Sequence, residues 1–307
     1  MNSLKITVIG CGNVGNAVAT ILLNRSNHAI ELNVMEPSVE QTGRLIELQH
    51  IVGLFQIHRF THNDLEEFRN ADVVFHTAGK CMNANETRLD VVEGNLKLTH
   101  DIFKQVSFKH EPYVIVLTNP VDVLTYFVQK QTKLPRNKVI GTGTLLDSAR
   151  FNAALKKYTI ISQNVPAWVV GEHGDSMVLL YSNLLAEHDL SDKELIKKVT
   201  HDTVFAAKLI KEYQGYTSTG VASVAVHIMD YLLGGESVSK AFPVSCVVDD
   251  ALQNKLGLKR PIALSWFFDI QHEAKSVYPI ELSELEWSQL KKSAQLIENI
   301  IHKIQPD

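Results

Sequence analysis

The chain has 307 residues, of which 45% are hydrophobic and 21% are charged. This balance is typical of a folded globular protein and excludes long disordered segments. The net charge of -4 supplies no basic field for a nucleic-acid backbone. No apolar run approaches about 20 residues, the length that a membrane helix needs. We therefore expect a cytoplasmic protein with two domains that binds neither nucleic acid nor membranes.

The first half of the chain alternates strand patterns with helix patterns. The predicted strands are 4–9, 30–35, 56–60, 72–76 and 113–117, and the predicted helices between the first of them are 13–24 and 39–51. Such alternation is typical of βαβ units, in which right-handed crossovers place helices on both faces of a parallel sheet. The sequence therefore predicts an α/β fold of the Rossmann type, with a doubly wound parallel sheet.

After about residue 142 the patterns change to longer helices, predicted at 145–157, 192–213 and 218–233 and from Ser283 onward. Ser283 and Glu286 form a capping-box pattern at the start of the last helix. Its apolar stripe is Leu290, Ala294, Ile297 and Ile301. We expect a first domain at 1–142 and a mixed α+β domain for substrate at 143–307, with a ligand cleft at their packed junction.

A glycine-rich turn follows the first predicted strand and opens the first helix. Gly10 permits the tight turn, Gly12 lets a pyrophosphate approach the backbone, and Gly15 lets the helix pack closely on the strand. The N–H groups at the start of the helix, at Asn13 and Val14, point to where phosphates bind. The pattern predicts a dinucleotide site.

Glu36 ends the second predicted strand, about 20 residues beyond the last glycine of the turn, where dinucleotide-binding proteins carry an acid. A carboxylate at this point binds both ribose hydroxyls and repels the 2'-phosphate of NADP. A solvated turn acid before Pro37 is the alternative interpretation. The position at the carboxyl end of a strand favours NAD as the cofactor.

The sequence shows no pattern of metal ligands. The three cysteines lie far apart without a Cys-x-x-Cys pair, which indicates reduced thiols. His58 and His62 have the spacing of ligands on a helix, but the residues around His58 predict a strand on which both face solvent. We predict no metal.

His173 stands between Gly171-Glu172 and Gly174-Asp175, where a side chain gains little by packing. Histidine has an unperturbed pKa of about 6.5 and can both give and take a proton near neutrality. A surface hydrogen-bonding histidine is the alternative. Its surroundings favour a role in proton transfer.

Several blocks, in order along nearly the whole chain, resemble the L-lactate and malate dehydrogenase family: Gly10–Gly15, 78–89, 118–122, 141–150 and Gly171–Ser176. The resemblance implies reversible hydride transfer between NADH and C2 of a small 2-oxo monocarboxylic acid. It also implies a homodimer or a homotetramer.

The resemblance further implies roles for the polar residues. His173 matches the acid/base and Asp147 the carboxylate that orients its ring, although Asp147 is also placed to cap a helix. Arg150, one helical turn on, matches the arginine that binds the substrate carboxylate, a geometry that lysine cannot reproduce. Without the resemblance, an Asp/Arg pair at this spacing is a surface ion pair.

Three further positions carry implied roles. Arg88 matches the arginine that polarises the substrate carbonyl from a loop, 80–85, that closes over the site. Asn119 matches the asparagine that contacts both cofactor and substrate, and Thr217 matches a threonine that lines the pocket.

Met82 departs from the family pattern, which has glutamine here in lactate enzymes and arginine in malate enzymes. Methionine offers no charge to a second carboxylate, and burying that group unpaired would cost several kcal/mol, so malate is disfavoured. A flexible thioether makes an adaptable apolar wall. Together with the block 141–147, it indicates an L-2-hydroxyisocaproate type of enzyme. An L-lactate dehydrogenase and a noncatalytic NAD-binding protein remain as alternatives.

Relatives activated by fructose 1,6-bisphosphate carry an arginine and a histidine at the positions of Asn152 and Pro166. Neither residue of this chain supplies a cation. We expect no activation by the sugar bisphosphate.

Overall fold

The computed structural model describes residues 3–25, 29–80, 88–158, 167–185, 192–234 and 241–305. Within these ranges the strands are β1 (Leu4–Ile9), β2 (Ile30–Met35), β3 (Arg59–His62), β4 (Val73–His76), β5 (Tyr113–Val116), β6 (Val139–Gly141), β7 (Val169–Val170), β8 (Val178–Leu179), β9 (Pro243–Val247), β10 (Ala263–Asp269) and β11 (Lys275–Ser276). The helices are α1 (Asn13–Leu23), α2 (Thr42–Leu54), α3 (Leu65–Arg69), α4 (Arg88–Phe103), α5 (Val121–Thr132), α6 (Leu145–Lys157), α7 (Ser182–Leu185), α8 (Lys193–Gln214), α9 (Thr219–Leu232), α10 (Asp250–Leu256) and α11 (Glu284–Ile304).

Nine of the described strands form one sheet in the order β3-β2-β1-β4-β5-β6-β9-β10-β11. The strands from β3 to β6 are parallel, and β9 joins β6 in the antiparallel sense through the pair Gly141 and Ser245. Helices cover both faces of a parallel sheet, so its central strands are apolar on both sides, as in the buried run Ile6 to Ile9. This order confirms the predicted doubly wound fold and the mixed second half.

The region after α2 differs from the prediction. The helix continues to Leu54, and the backbone N–H of His58 donates to the carbonyl of Phe55 at 3.3 Å, which makes a turn. The third strand therefore spans Arg59–His62 and not 56–60. The interpretation of His58 as solvent-facing is wrong, because this turn brings its ring beneath the start of β2. The residue is 7% exposed, and the Nδ1 atom of its ring accepts the backbone N–H of Ile30 at 3.2 Å.

The last helix begins as the sequence predicts. Ser283 caps α11, and both hydrogen bonds of the capping box with Glu286 are present. The predicted apolar stripe on α11 is buried, from Leu290 to Ile301. The helix packs against β8, α5 and α10, and its Trp287 contacts Trp266 of β10. Within the described ranges, no helix is both long and apolar enough to cross a bilayer.

A histidine lies at the end of β4, completely buried in the core. The Nε2 atom of His76 lies 2.9 Å from the Oγ1 atom of Thr99, and the ring packs edge-on against Phe103. Burial lowers the pKa of His76 to about 4. The unfolded chain takes up a proton at this residue below about pH 6.5, whereas the folded chain does so only near its lowered pKa. His76 therefore reduces the free energy of unfolding as the pH falls from 6.5 towards 4.

We predict that His76→Gln, which keeps a partner for Thr99 but does not titrate, removes this loss. The free energy of unfolding of the wild type should fall relative to that of the variant by about 2 kcal/mol between pH 7.5 and pH 5. Urea denaturation of both proteins at the two pH values measures the difference. Parallel changes with pH in the two proteins would contradict the lowered pKa.

Candidate active site

The glycine-rich turn between β1 and α1 has the shape that a dinucleotide requires. Gly10 has a φ of +90°, and a Cβ atom there would lie 2.9 Å from the Cα atom of Ala78. A Cβ atom on Gly15 would lie 1.9 Å from the carbonyl oxygen of Gly10. Gly12, by contrast, has no atom within 4 Å of its Cβ position. Two glycines therefore allow close packing, and the third leaves space against the backbone for the pyrophosphate, so these residues fit NAD.

Glu36 lies beside this turn at the end of β2. Its Oε2 atom accepts the backbone N–H of Cys11 at 2.7 Å, and its Oε1 atom accepts that of Ser38 at 2.9 Å. The carboxylate is thus held against the glycine-rich turn by two backbone N–H groups. Arg44 of α2, which the sequence analysis did not identify, donates to the carbonyl of Cys11.

His173 lies on the turn after β7, and its ring is held by Asp147 of α6. The Nδ1 atom of His173 and the Oδ2 atom of Asp147 are 2.6 Å apart. Burial by itself would lower the pKa of His173, but the Asp147 carboxylate more than offsets this effect, so the pKa is raised. The Asp147 side chain is completely buried, whereas 24% of the His173 side chain is exposed. The Nε2 side of the ring can therefore reach a ligand while Nδ1 stays bound.

Arg150 joins the same carboxylate from the next turn of α6. Its Nη1 atom donates to the Oδ1 atom of Asp147 at 2.7 Å, and 14% of its side chain is exposed. Burial would raise the pKa of Asp147, but the His173 ring and the Arg150 guanidinium more than offset it and lower the pKa. The predicted Asp147/Arg150 pair is therefore an interior contact rather than a surface ion pair. The remaining N–H groups of the guanidinium are available to a carboxylate ligand.

A second carboxylate holds the backbone of the histidine. The Oδ2 atom of Asp122, on α5, accepts the backbone N–H of His173 at 2.8 Å, and its Oδ1 atom accepts the hydroxyl of Ser245 at 2.6 Å. Burial raises the pKa of Asp122 to about 6, although these hydrogen bonds oppose the change. Sequence reasoning placed this residue in a family block without a role. The available signal was an acid within the otherwise apolar first turn of a helix, Val121 to Leu124.

One face of α6 is tied to β7 by side chains spaced four residues apart. Thr144 donates its hydroxyl to the carbonyl of Val169 at 2.5 Å, and Ser148 accepts the N–H of Val169 at 2.9 Å. Asn152 donates to the carbonyl of Ala167 at 2.6 Å and accepts its N–H at 3.1 Å. These bonds set the register of α6 against the strand that leads to the histidine turn. They thereby fix the approach of the aspartate and histidine side chains to each other.

Asn119 lies on the exposed turn between β5 and α5, and the bond between Asn119 and Pro120 is cis. The buried amide of Asn95, on α4, donates to the carbonyl of Asn119 at 2.8 Å and accepts the backbone N–H of Lys80 at 2.8 Å. Asn95 therefore joins the segment after β4 to the segment after β5. Sequence reasoning also missed this residue.

The other predicted residues lie at the edges of what the structure describes. Arg88 is the first residue of α4, and its side chain lies outside the described part, as does the whole of Met82. Thr217 is half-buried just before α9. A Cβ atom on Gly220, in the first turn of α9, would lie 3.3 Å from the side chain of Leu146. The start of α9 thus packs against the start of α6.

Among the described residues, no three His, Cys, Asp or Glu side chains are grouped as metal ligands.

Comparison with known proteins identifies the family of the chain. The family model described as "lactate/malate dehydrogenase, NAD binding domain" matches residues 4–141, and that described as "lactate/malate dehydrogenase, alpha/beta C-terminal domain" matches residues 144–306. The chain belongs to the lactate/malate dehydrogenase family. It is accordingly an NAD-dependent oxidoreductase that acts on hydroxy acids.

Several members of the lactate/malate dehydrogenase family are similar along most of their length. The L-lactate dehydrogenase B chain of Pelodiscus sinensis japonicus is 32% identical over 96% of this chain and 92% of its own. The "Probable L-lactate dehydrogenase" of Schizosaccharomyces pombe is 33% identical over 76% of this chain and 75% of its own. The solved structure of L-lactate dehydrogenase from Clostridium thermocellum is 27% identical, with a TM-score of 0.81 over 98% of this chain and 99% of that one.

The contact between Asp147 and His173 yields a prediction about pH dependence. We predict that reduction of a 2-oxo acid requires protonated His173, so that kcat/KM with NADH falls as the pH rises through the raised pKa of this residue. Asp147→Asn removes the charge that raises this pKa. We expect the fall in kcat/KM to move to lower pH, and the value at pH 7.5 to drop by a factor of about 10² or more.

The matched control is Asp249→Asn. Asp249 accepts the backbone N–H groups of Leu252 and Ser276 at 2.8 and 2.6 Å, away from the histidine. Its substitution should leave the pH profile unchanged. A profile for Asp147→Asn that coincides with that of the wild type would refute the electrostatic role.

Proposed function

We propose that this chain is an L-2-hydroxy acid dehydrogenase that reversibly reduces 2-oxo monocarboxylic acids, with a preference for apolar side chains of the L-2-hydroxyisocaproate type. The observation that carries the reaction is the His173–Asp147–Arg150 arrangement. It places a proton donor and a guanidinium on one buried carboxylate. We also propose that the chain divides into a cofactor domain at 1–142 and a substrate domain at 143–307.

The residues of the site divide the work on the substrate. NADH, when bound, supplies a hydride to C2 of the 2-oxo acid. Protonated His173 donates its proton to the carbonyl oxygen, and the neutral ring takes it back in the reverse direction. Arg150 binds the carboxylate through two parallel hydrogen bonds, which fixes the orientation of C2. Arg88 polarises the carbonyl, and Asn119 and Thr217 complete the pocket.

The glycine-rich turn and Glu36 hold the cofactor in this proposal. Gly10, Gly12 and Gly15, with the N–H groups of Asn13 and Val14, receive the pyrophosphate. Glu36 accepts hydrogen bonds from the adenosine ribose and repels a 2'-phosphate. The proposal is supported by the open space at Gly12 and by the hydrogen bonds that hold the carboxylate there.

The substrate preference depends on Met82. An apolar side chain at this position gives no counter-charge to a second carboxylate, which disfavours malate. It favours contact with a branched hydrocarbon. The second candidate is an L-lactate dehydrogenase that tolerates methionine, and the names of the similar proteins favour it.

We further propose that the protein is a homodimer or a homotetramer. Large apolar and aromatic side chains are exposed on α2 and on the last turns of α8: Ile46, Leu54, Phe205, Leu209, Ile210 and Tyr213. Burying these two faces against a second copy would remove apolar surface from water.

Steady-state kinetics on a panel of 2-oxo acids tests the proposed substrate. We expect kcat/KM for 4-methyl-2-oxopentanoate to exceed that for pyruvate by about tenfold, since additional buried methyl groups contribute 1 to 3 kcal/mol. Oxaloacetate should be the poorest substrate. Met82→Gln should shift the preference towards pyruvate, and Met82→Leu is the matched control that keeps it.

A much higher kcat/KM for pyruvate would favour the lactate dehydrogenase alternative. His173→Asn should reduce turnover of every substrate by a factor of about 10² to 10⁴ while NADH still binds. Turnover that survives this substitution would refute the proposed acid/base.

We predict that fructose 1,6-bisphosphate does not activate the enzyme. At one of the two relevant positions, Asn152 has no charge, and its amide is already bonded to the carbonyls of Ser148 and Ala167. The other, Pro166, lies outside the described residues. The KM for the 2-oxo acid should be the same with and without millimolar sugar bisphosphate, and a lowered KM would contradict the prediction.

A further inference from the structure

Arg44 touches the glycine-rich turn at two points. It lies in the first turn of α2 and is half-buried. Its Nη1 atom donates to the carbonyl of Cys11 at 2.9 Å, and its Nη2 atom donates to the Oδ1 atom of Asn13 at 2.5 Å. Cys11 is the residue whose N–H group is bound by Glu36. One peptide segment of the turn is therefore held from both sides, by a carboxylate and by a guanidinium.

Arg44 places a positive charge at the amino end of α1, where helices usually favour a negative charge. The amino end of a helix carries a partial positive charge and favours acidic side chains. Arg44 lies in the first turn of α2, which follows a short 3-10 helix that contains Glu40, and it contacts the first residue of α1, whose first turn contains no acid. The amino end of α1 and the guanidinium of Arg44 thus lie close together, and the Glu36 carboxylate binds the same segment. Such an arrangement is stabilised when an anion binds between them.

The hydrogen bonds leave part of the guanidinium unused. Arginine has five N–H groups, and two of them are spent on the turn, so three remain for another acceptor. In the described part of the chain, no carboxylate forms a salt bridge with Arg44. Arginine is the side chain best suited to phosphate, because its planar fork matches the phosphate oxygens. The space beside Gly12, where a pyrophosphate fits, belongs to the same turn.

We propose that Arg44 is a cofactor-binding residue: it holds the glycine-rich turn in the shape that receives the pyrophosphate of NAD and places a positive charge beside it. The contact lies in the cofactor half. The proposal therefore stands whether the substrate is lactate or a branched 2-hydroxy acid. Arg44, on α2, thereby joins the glycines and Glu36 as a third part of the cofactor site.

Dissociation constants for NADH, ADP and adenosine, measured by titration calorimetry, test the proposal without a measurement of enzyme activity. Arg44→Gln removes the charge and keeps an amide that can bond to the turn. We expect it to weaken the binding of NADH and ADP about tenfold and that of adenosine less than twofold, because adenosine has no phosphate. Raising the salt concentration should weaken ADP binding to the wild type more than to the variant.

Two further variants complete the design. Arg44→Lys keeps the charge without the fork, so ADP binding should lie between that of the wild type and that of Arg44→Gln. Arg59→Gln is the matched control, since Arg59 lies on β3 of the same half, is 62% exposed and faces Glu31 and Glu67. This control changes the net charge equally and should leave all three ligands within twofold of the wild type.

The outcomes separate the alternatives. Binding of ADP to Arg44→Gln within twofold of the wild type overturns the proposal. Equal weakening of adenosine and ADP also overturns it, because Arg44 would then act on the fold of the turn alone. If Arg44→Gln fails to fold, the comparison between Arg44→Lys and the wild type decides in the same way, through the ratio of ADP to adenosine affinity.

Discussion

The candidate site depends on one completely buried carboxylate that is shared by a histidine and an arginine. Asp147 has lost its water, which by itself would favour the protonated acid. His173 and Arg150 each take one of its oxygens and keep it ionised. The dependence is mutual, since the same carboxylate raises the pKa of the histidine. Removing one partner of such a buried pair typically costs 3 to 5 kcal/mol. The three side chains are therefore best regarded as one unit.

This unit is assembled from parts of the chain that only the sheet brings together. The parallel strands of the cofactor half end at one edge, and β9 continues the same sheet into the second half through Gly141 and Ser245. Asp122 binds both Ser245 and the backbone of His173, and so connects the histidine turn to this edge. The carboxyl ends of parallel strands are where ligands bind in open α/β sheets. The strand register, with Ile9 beside His76 and His76 beside Val116, places the glycine-rich turn at the same sheet edge as the segment that leads to Asp122.

Features encoded within a few residues were predictable from the sequence. The glycine-rich turn and the capping box of Ser283 depend on local backbone geometry, so their patterns can be read directly. The strand after α2 was misplaced, and His58 was interpreted as exposed, because the chain turns after Leu54 and brings His58 against the start of β2 before the strand begins at Arg59. Local patterns do not show where a turn begins when the preceding helix extends beyond its predicted end, here from 51 to Leu54. The roles of Asp122 and Arg44 were missed for a related reason, since their partners are distant in the sequence.

The sequence by itself determined the type of fold, the dinucleotide turn and the candidate reacting groups, because each is encoded by the spacing of residue types along a short stretch. Tertiary structure decided how these groups act on one another. Asp147 and Arg150, which at helical spacing would form an ordinary surface pair, became an interior pair because His173 packs against them. Burial and distance set the ionisation of a side chain, and both are properties of the folded chain.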